Sequence, residues 1–274
     1  MSHELEEARA TAAAIARDAG AILMQGWGTR PDFEFKSEDI DLVTEWDKKS
    51  EALVVSRLRA AFPGDVVVGE EGGAVGGARG QKKGRVWYVD PLDGTTNFAH
   101  GFPLFSVSIG LTIDGRAVAG VVEAPAMGWS FSGAVGAGST LNGKPITPSK
   151  VATLKRALVV TGFPYLRTPT HTNLPEWAAL IAAAQGTRRL GSAALDLCFV
   201  ACGWLDMYWE RMLHPWDLVA GAAIVEAAGG KATELDGSAF DGETGRVLAS
   251  NGVIHDEVSA LLKRVAVESG SAWP

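Results

Sequence analysis

Residues 86–98 read Val-Trp-Tyr-Val-Asp-Pro-Leu-Asp-Gly-Thr-Thr-Asn-Phe, and this stretch decides how the rest of the chain is read. An apolar run of β-branched and aromatic residues runs into two carboxylates, Asp90 and Asp93, and predicts a strand ending at Asp90. Gly94, Thr95 and Thr96 follow, which predicts a turn opening into a helix. Two acids this close repel: at ~4 Å and an effective dielectric of ~20 the pair costs about 4 kcal/mol. A proton or a cation must relieve that cost. An all-oxygen ligand set of this kind suits Mg²⁺, which keeps waters and recruits phosphate oxygens.

Two other segments have the same character. Val66-Val67-Val68-Gly69-Glu70-Glu71-Gly72-Gly73 is again an apolar strand running into acids. Neighbours on an extended chain point to opposite sides, so Glu70 and Glu71 can serve different tasks. Residues 214–230 begin His-Pro-Trp-Asp and end Gly-Gly. Pro215 suits the first turn of a helix and Gly229-Gly230 its end, which places Asp217 beside free backbone N–H groups. Taken singly, Asp93-Gly94 reads as a plain turn and Asp217 as a helix cap. Asp217 lies 127 residues after Asp90, so only the fold can bring them together.

The three segments resemble the inositol monophosphatase family of Mg²⁺-dependent, lithium-sensitive phosphatases. Asp90-Pro91-Leu92-Asp93-Gly94-Thr95-Thr96 is similar to its first signature. Trp216-Asp217, Ala220-Gly221, Ile224 and Gly229-Gly230 are similar to its second. There are two departures. Leu92 stands where the family more often has Ile, at a position used through its carbonyl. The acid before the double glycine sits one place early, at Glu226.

The resemblance implies an α+β fold, a layered αβαβα sandwich of the sugar-phosphatase type. It implies two or three Mg²⁺ per site, with metal ligands Glu70, Asp90, the Leu92 carbonyl, Asp93 and Asp217. It gives Glu71, Thr95 and Asp47 roles around the attacking water, although a first-turn Asp such as Asp47 is on its own a dipole-compensating residue. It implies that Asp93, Gly94, Thr95, Thr96, Gly191, Ser192, Ala193 and Glu210 bind substrate. For Gly94, Thr95 and Thr96 the residues agree, since successive N–H groups at a helix start bind phosphate. The implied activity is hydrolysis of a small phosphomonoester by direct water attack, with myo-inositol monophosphate the expected substrate. Histidinol phosphate, fructose 1,6-bisphosphate and a nucleoside bisphosphate are the alternatives. A non-catalytic interaction protein on the same fold is the reading from a different class. A homodimer is typical of the resemblance.

Composition agrees with a globular enzyme: 274 residues, 47% hydrophobic and 21% charged. The net charge of −7 supplies no field for anionic substrates, so bound cations must do so. The densest basic cluster, Lys82-Lys83-Gly84-Arg85, is too short for a nucleic-acid footprint. Arg188-Arg189 could pair with a second phosphate, but structural ion pairs are the expectation. No stretch reads as a membrane span, and the N-terminal apolar pattern carries charges unlike those of a signal peptide. Cys198 and Cys202, four apart on a predicted helix, read as free thiols of a reducing compartment, so a cytoplasmic location is expected. None of the five histidines has helical metal spacing, and no Gly-x-Ser-x-Gly motif offers a covalent nucleophile.

The pattern predicts helices over 3–26 and 44–62, the latter capped by Thr44 and stopped by Pro63-Gly64. Residues 69–84, with seven glycines, read as a mobile loop and candidate lid. Residues 105–140 read as an antiparallel meander, with Asp114-Gly115 a strong hairpin signal. A polar stretch near 146–155 divides an N-terminal α+β half (1–150), carrying most metal ligands, from a C-terminal α/β half (151–274), carrying Asp217 and the substrate-pocket residues. In the second half strands and helices alternate: 157–162, 173–185, 186–190, 192–203, 205–210, 215–228, 231–235, 247–250 and 255–266.

Overall fold

The computed structural model describes residues 2–29, 33–35, 42–76, 83–164 and 173–270. The first part contains α1 (Ser2–Gly26), β1 (Phe33–Phe35), β2 (Leu42–Thr44), α2 (Glu45–Ala61), β3 (Val66–Gly69), β4 (Gly73–Val75), β5 (Arg85–Asp93) and the short α3 (Thr95–Ala99). The meander β6 (Ser106–Ile113), β7 (Arg116–Ala124), β8 (Trp129–Ala134), β9 (Gly138–Leu141) and β10 (Lys144–Ile146) follows. Then come β11 (Leu158–Thr161), α4 (Leu174–Ala183), β12 (Gly186–Arg188), α5 (Ala193–Ala201), β13 (Met207–Arg211), α6 (Pro215–Ala227), β14 (Lys231–Thr233), β15 (Arg246–Ser250) and α7 (His255–Ser269).

Among the described residues the strands make an eight-stranded sheet, β10-β9-β8-β7-β6-β5-β3-β4, a five-stranded sheet, β12-β11-β13-β15-β14, and the small pair β1-β2. In the large sheet only β3 and β5 run parallel; the rest is antiparallel. Helices α1 and α2 cover one face of this sheet and α6 the other. α5 lies between α6 and the five-stranded sheet, and α4 with α7 covers the far side. The layers are therefore αβαβα.

Burial on both faces explains why β5 reads as a continuous apolar run rather than an alternating one. Trp87 and Val89 pack with α1 and α2, while Val86 and Tyr88 pack against Trp216 and Val219 of α6. A third cluster joins the two sheets: Val122 and Phe131 meet Val160, Tyr208 and Val247 through α5. Asp114 and Gly115 both have positive φ (50° and 81°) and close a two-residue hairpin between β6 and β7. That is the primed turn geometry which suits the twist of the strands.

Two local expectations need correction. The strand ending in acids does not stop at Asp90 but continues to Asp93, with a bulge between the two opposite Ser108 and Ser106. Bulges re-aim side chains, and here the extra residues turn Asp93 toward α5. The glycine-rich segment after Glu70 is not all loop: β4 folds back on β3, pairing Val75 with Val67. Residues 77–82 of the proposed lid lie outside the described residues.

Candidate active site

Parallel pairing of β3 with β5 puts Gly69 beside Val89, so the next residues, Glu70 and Asp90, emerge together at one end of the sheet. The Glu70 amide donates to the Val89 carbonyl at 3.2 Å. The third acid comes from α6, whose start is tied to the sheet by Ser108 Oγ donating to the Trp216 carbonyl at 3.1 Å. Asp217 accepts from the His214 amide at 2.7 Å, so it is both a helix cap and part of the cluster. His214 itself stacks on Trp216.

Asp93 is held from a fourth direction. It accepts from Ser192 Oγ and from the amides of Ala194 (2.9 Å) and Ala193 (3.3 Å) at the start of α5. Gly94, with φ +89°, makes the tight passage from β5 into α3. A Cβ there would lie 3.0 Å from the Leu104 carbonyl and 3.2 Å from that of Gly191. Asn97 fastens the same junction, donating to the carbonyls of Leu104 (2.7 Å) and Leu190 (2.9 Å).

Burial and crowding raise the carboxyls of these acids. Burial, then the negative charges of Glu70, Asp93 and Asp217, push Asp90 well above the usual carboxylate range. Burial and Glu70 do the same to Asp217. Burial raises Asp93 to about 6 even though three donors oppose the shift. The arrangement is open rather than a closed cage: among the described residues, no three His, Cys, Asp or Glu side chains converge on a common point. Asp90 turns Oδ1 to the Leu92 amide (2.9 Å) and Asp217 turns Oδ2 to that of His214. The oxygen-only donor set and the unrelieved negative charge fit a hard divalent cation such as Mg²⁺.

The cavity of about 130 Å³ above this cluster is lined by the predicted residues except Asp47, Glu71 and Thr96. Asp47 lies just beneath the wall. It accepts from the Thr44 amide (2.9 Å) and hydroxyl (2.6 Å), and Thr95 Oγ1 is 3.2 Å from its other oxygen. It caps α2 and touches the site, and burial raises it to about 6. Thr95 Oγ1 is also 3.0 Å from the Leu92 carbonyl. Thr96 sits in the first turn of α3 and does not reach the cavity.

The other half of the cavity is formed by the start of α5 and the end of β13. Tyr208 Oη donates to Glu210 at 2.6 Å, and burial raises Glu210 to about 7. Sequence reasoning missed Phe163, Asp196 and Met212 here. Asp196 is almost completely buried on α5, and its Oδ1 has no hydrogen-bond partner among the described residues. Met212 is partly exposed at φ +63°, a backbone state rare for a bulky residue. Arg188 donates to its neighbour's carbonyl, and Arg189 lines the cavity, where its positive charge acts on Asp196 and Glu210. Ser50, also missed, donates from α2 to the Pro91 carbonyl at 2.9 Å. The available signal was a polar stripe at 47, 50 and 51 on an otherwise amphipathic helix.

A family model described as the inositol monophosphatase family matches residues 4–266. This chain belongs to the inositol monophosphatase family. An inositol-1-monophosphatase of Synechocystis sp. is 45% identical over 254 residues, covering 92% of this chain and 87% of that one. The protein named Nus factor SuhB of Pseudomonas aeruginosa is 39% identical, covering 86% and 88%. The solved inositol monophosphatase of Anabaena (Nostoc) sp. superimposes with a TM-score of 0.87 at 43% identity, covering 97% of this chain and 99% of that one. As a member of this family the chain is a metal-dependent phosphoric monoester hydrolase with the layered α+β fold. Among the described residues no helix is long and apolar enough to cross a membrane.

Proposed function

We propose that this phosphatase hydrolyses myo-inositol monophosphate by direct, in-line attack of water, using two or three Mg²⁺ per site. When bound, Mg²⁺ supplies Lewis-acid polarisation of the phosphate and lowers the pKa of a bound water. Glu70, Asp90 and the Leu92 carbonyl would hold one ion. Asp90, Asp93 and Asp217 would hold a second, and Glu70 a weaker third. The observation that carries the reading is that these acids, from three distant segments, line one cavity beside the starts of α3, α5 and α6.

The chain's own groups then have defined tasks. Thr95 Oγ1 shares its proton between Leu92 O and Asp47 Oδ1, which leaves its lone pairs to orient the attacking water. Asp47 takes up the displaced proton, assisted by Glu71. The amides of Gly94 and Thr95 hold the phosphate, with Thr96 supporting that turn. Asp93 and Glu210 accept hydrogen bonds from hydroxyls of the alcohol, while Gly191, Ser192 and Ala193 shape the wall and leave room for a ring. No phosphoenzyme forms.

Li⁺ inhibition, a homodimer and a cytoplasmic location complete the proposal. Both cysteines are free thiols, as a reducing compartment would keep them. Titration with Li⁺ at fixed Mg²⁺ reads the first of these, and an insensitive enzyme removes it.

One observation favours a second substrate. Asp196 adds a buried carboxylate beside Glu210, and paired acids suit the ammonium of histidinol phosphate. The ratio of kcat/KM for the two esters decides, because it reports discrimination directly. Inositol phosphate is expected to win. A tenfold advantage for histidinol phosphate, about 1.4 kcal/mol, reverses the substrate assignment and leaves the phosphatase standing.

A further inference from the structure

Glu51 lies one turn after Asp47 on α2 and is 6% exposed. Both of its oxygens are engaged by the turn that carries Glu70 and Glu71. Oε2 accepts from the Glu71 amide at 2.8 Å and Oε1 from the Gly72 amide at 2.6 Å. The chain is wrapped closely around this carboxylate. A Cβ on Gly69 would lie 2.5 Å from Oε2, and one on Gly72 would lie 2.8 Å from Oε1. Two glycines of an apparently loose segment are therefore side-chain-free because an acid from another element fills the space.

The location is costly for an acid. Burial raises the Glu51 carboxyl, and the neighbouring Glu71 and Glu70 raise it further. Two backbone donors, not a cation, hold it there among the described residues. The same helix face donates Ser50 to Pro91 O and presents Asp47 to Thr95, so a single stripe touches both acid-bearing segments.

We infer that Glu51 is a positioning residue: its carboxylate clamps the Glu71 and Gly72 amides and so sets where the Glu70 and Glu71 side chains point. The inference rests on the metal-site reading given above for Glu70. Outer-shell partners of metal ligands commonly change metal affinity or activity 10- to 100-fold when lost. A residue that only stabilised the fold would lower the melting temperature and leave the metal requirement alone.

The test uses the full chain, with E51A, E51Q, G72A and the double variant E51A/G72A. G72A crowds the same contact from the opposite side at a φ that alanine accepts, and E51Q keeps one acceptor but turns an NH₂ toward the other amide. In metal-free protein, hydrogen exchange at the Glu71 and Gly72 amides is expected to quicken at least tenfold in E51A, while the Leu92 amide held by Asp90 stays protected. The Mg²⁺ concentration for half-maximal phosphate release should rise about tenfold or more in E51A, and less in E51Q. G72A should raise it as well, yet add little in the E51A background, because both changes break one contact. Wild-type exchange and Mg²⁺ requirement in a folded E51A, or effects of E51A and G72A that simply multiply, would overturn the inference. Should E51A not fold, E51Q and G72A carry the same comparison. A wild-type enzyme indifferent to Mg²⁺ would instead sink the metal reading, while the exchange arm still decides the clamp.

Discussion

The two halves of the cavity are both lined with buried acids, yet they are built differently. In the half that holds Asp90, Asp93 and Asp217, each acid sits where a strand ends or a helix begins, and backbone amides anchor it. In the other half, Glu210 ends β13 and is held by the Tyr208 hydroxyl of its own strand and by the Gly162 backbone, among the side chains of Phe163, Arg189, Asp196 and Met212. Amides at strand ends and helix starts tie the proposed metal ligands to the fold itself. The side chains that crowd Glu210 leave the proposed alcohol half open to change by single substitutions, as expected where chemistry is constant and substrate varies.

Asp90→Asn should give the largest contrast between the halves. It removes the charge shared by both proposed ion positions, and kcat/KM should fall at least about 1,000-fold, near 4 kcal/mol of transition-state stabilisation. The same change removes a crowded buried charge, so the metal-free variant should melt no lower than wild type at pH 8. Retention of half the wild-type rate with normal Mg²⁺ activation would assign Asp90 a different role.

The acids also predict how stability follows pH. Asp47 and Asp93 are raised to about 6 and Glu210 to about 7, above their unfolded values. In the folded chain these groups bind protons more tightly, so their contribution is fully present below the unfolded carboxylate range. It is lost as pH rises through about 6 to 7. EDTA-treated protein should therefore lose about 5–10 °C of melting temperature between pH 5 and pH 8, and Mg²⁺ should restore most of it at pH 8. Because the proposed Mg²⁺ ligands lie in one half only, the part that Mg²⁺ does not restore belongs to Glu210 and Asp47, neither of which is a proposed ligand. A melting temperature that rises over this range would reject the crowding argument.

Glu210→Gln should have the smallest effect and the most selective one. It keeps a hydrogen-bond acceptor but loses the charge. kcat/KM should fall a few-fold for inositol phosphate and about tenfold or more for histidinol phosphate, roughly 1.4 kcal/mol. Equal losses for the two esters would mean that Glu210 does not read the alcohol.

This difference in construction also explains what could be read from sequence. Asp90, Asp93 and Asp217 were legible because each lies in a local pattern: an apolar strand ending in acids, or a Pro-started helix. The two-residue turn at Asp114-Gly115 was legible for the same reason. Asp196 and Met212 carry no local signal, since α5 is buried all round and Met212 follows a strand end without pattern. The β4 hairpin was hidden because a glycine run reads as mobile, whereas Gly69 and Gly72 are close-packed against Glu51, an acid from another element. The bulge that carries β5 on to Asp93 depends on pairing with β6, which lies beyond any local window.

The central claim is that a crowded acid cluster works only with a divalent cation. The most direct measurement is phosphate release from myo-inositol monophosphate by one preparation, first stripped with EDTA and then titrated with Mg²⁺. The account predicts release at background without Mg²⁺ and saturable recovery as Mg²⁺ is added. Hydrolysis at the full rate in EDTA would contradict it.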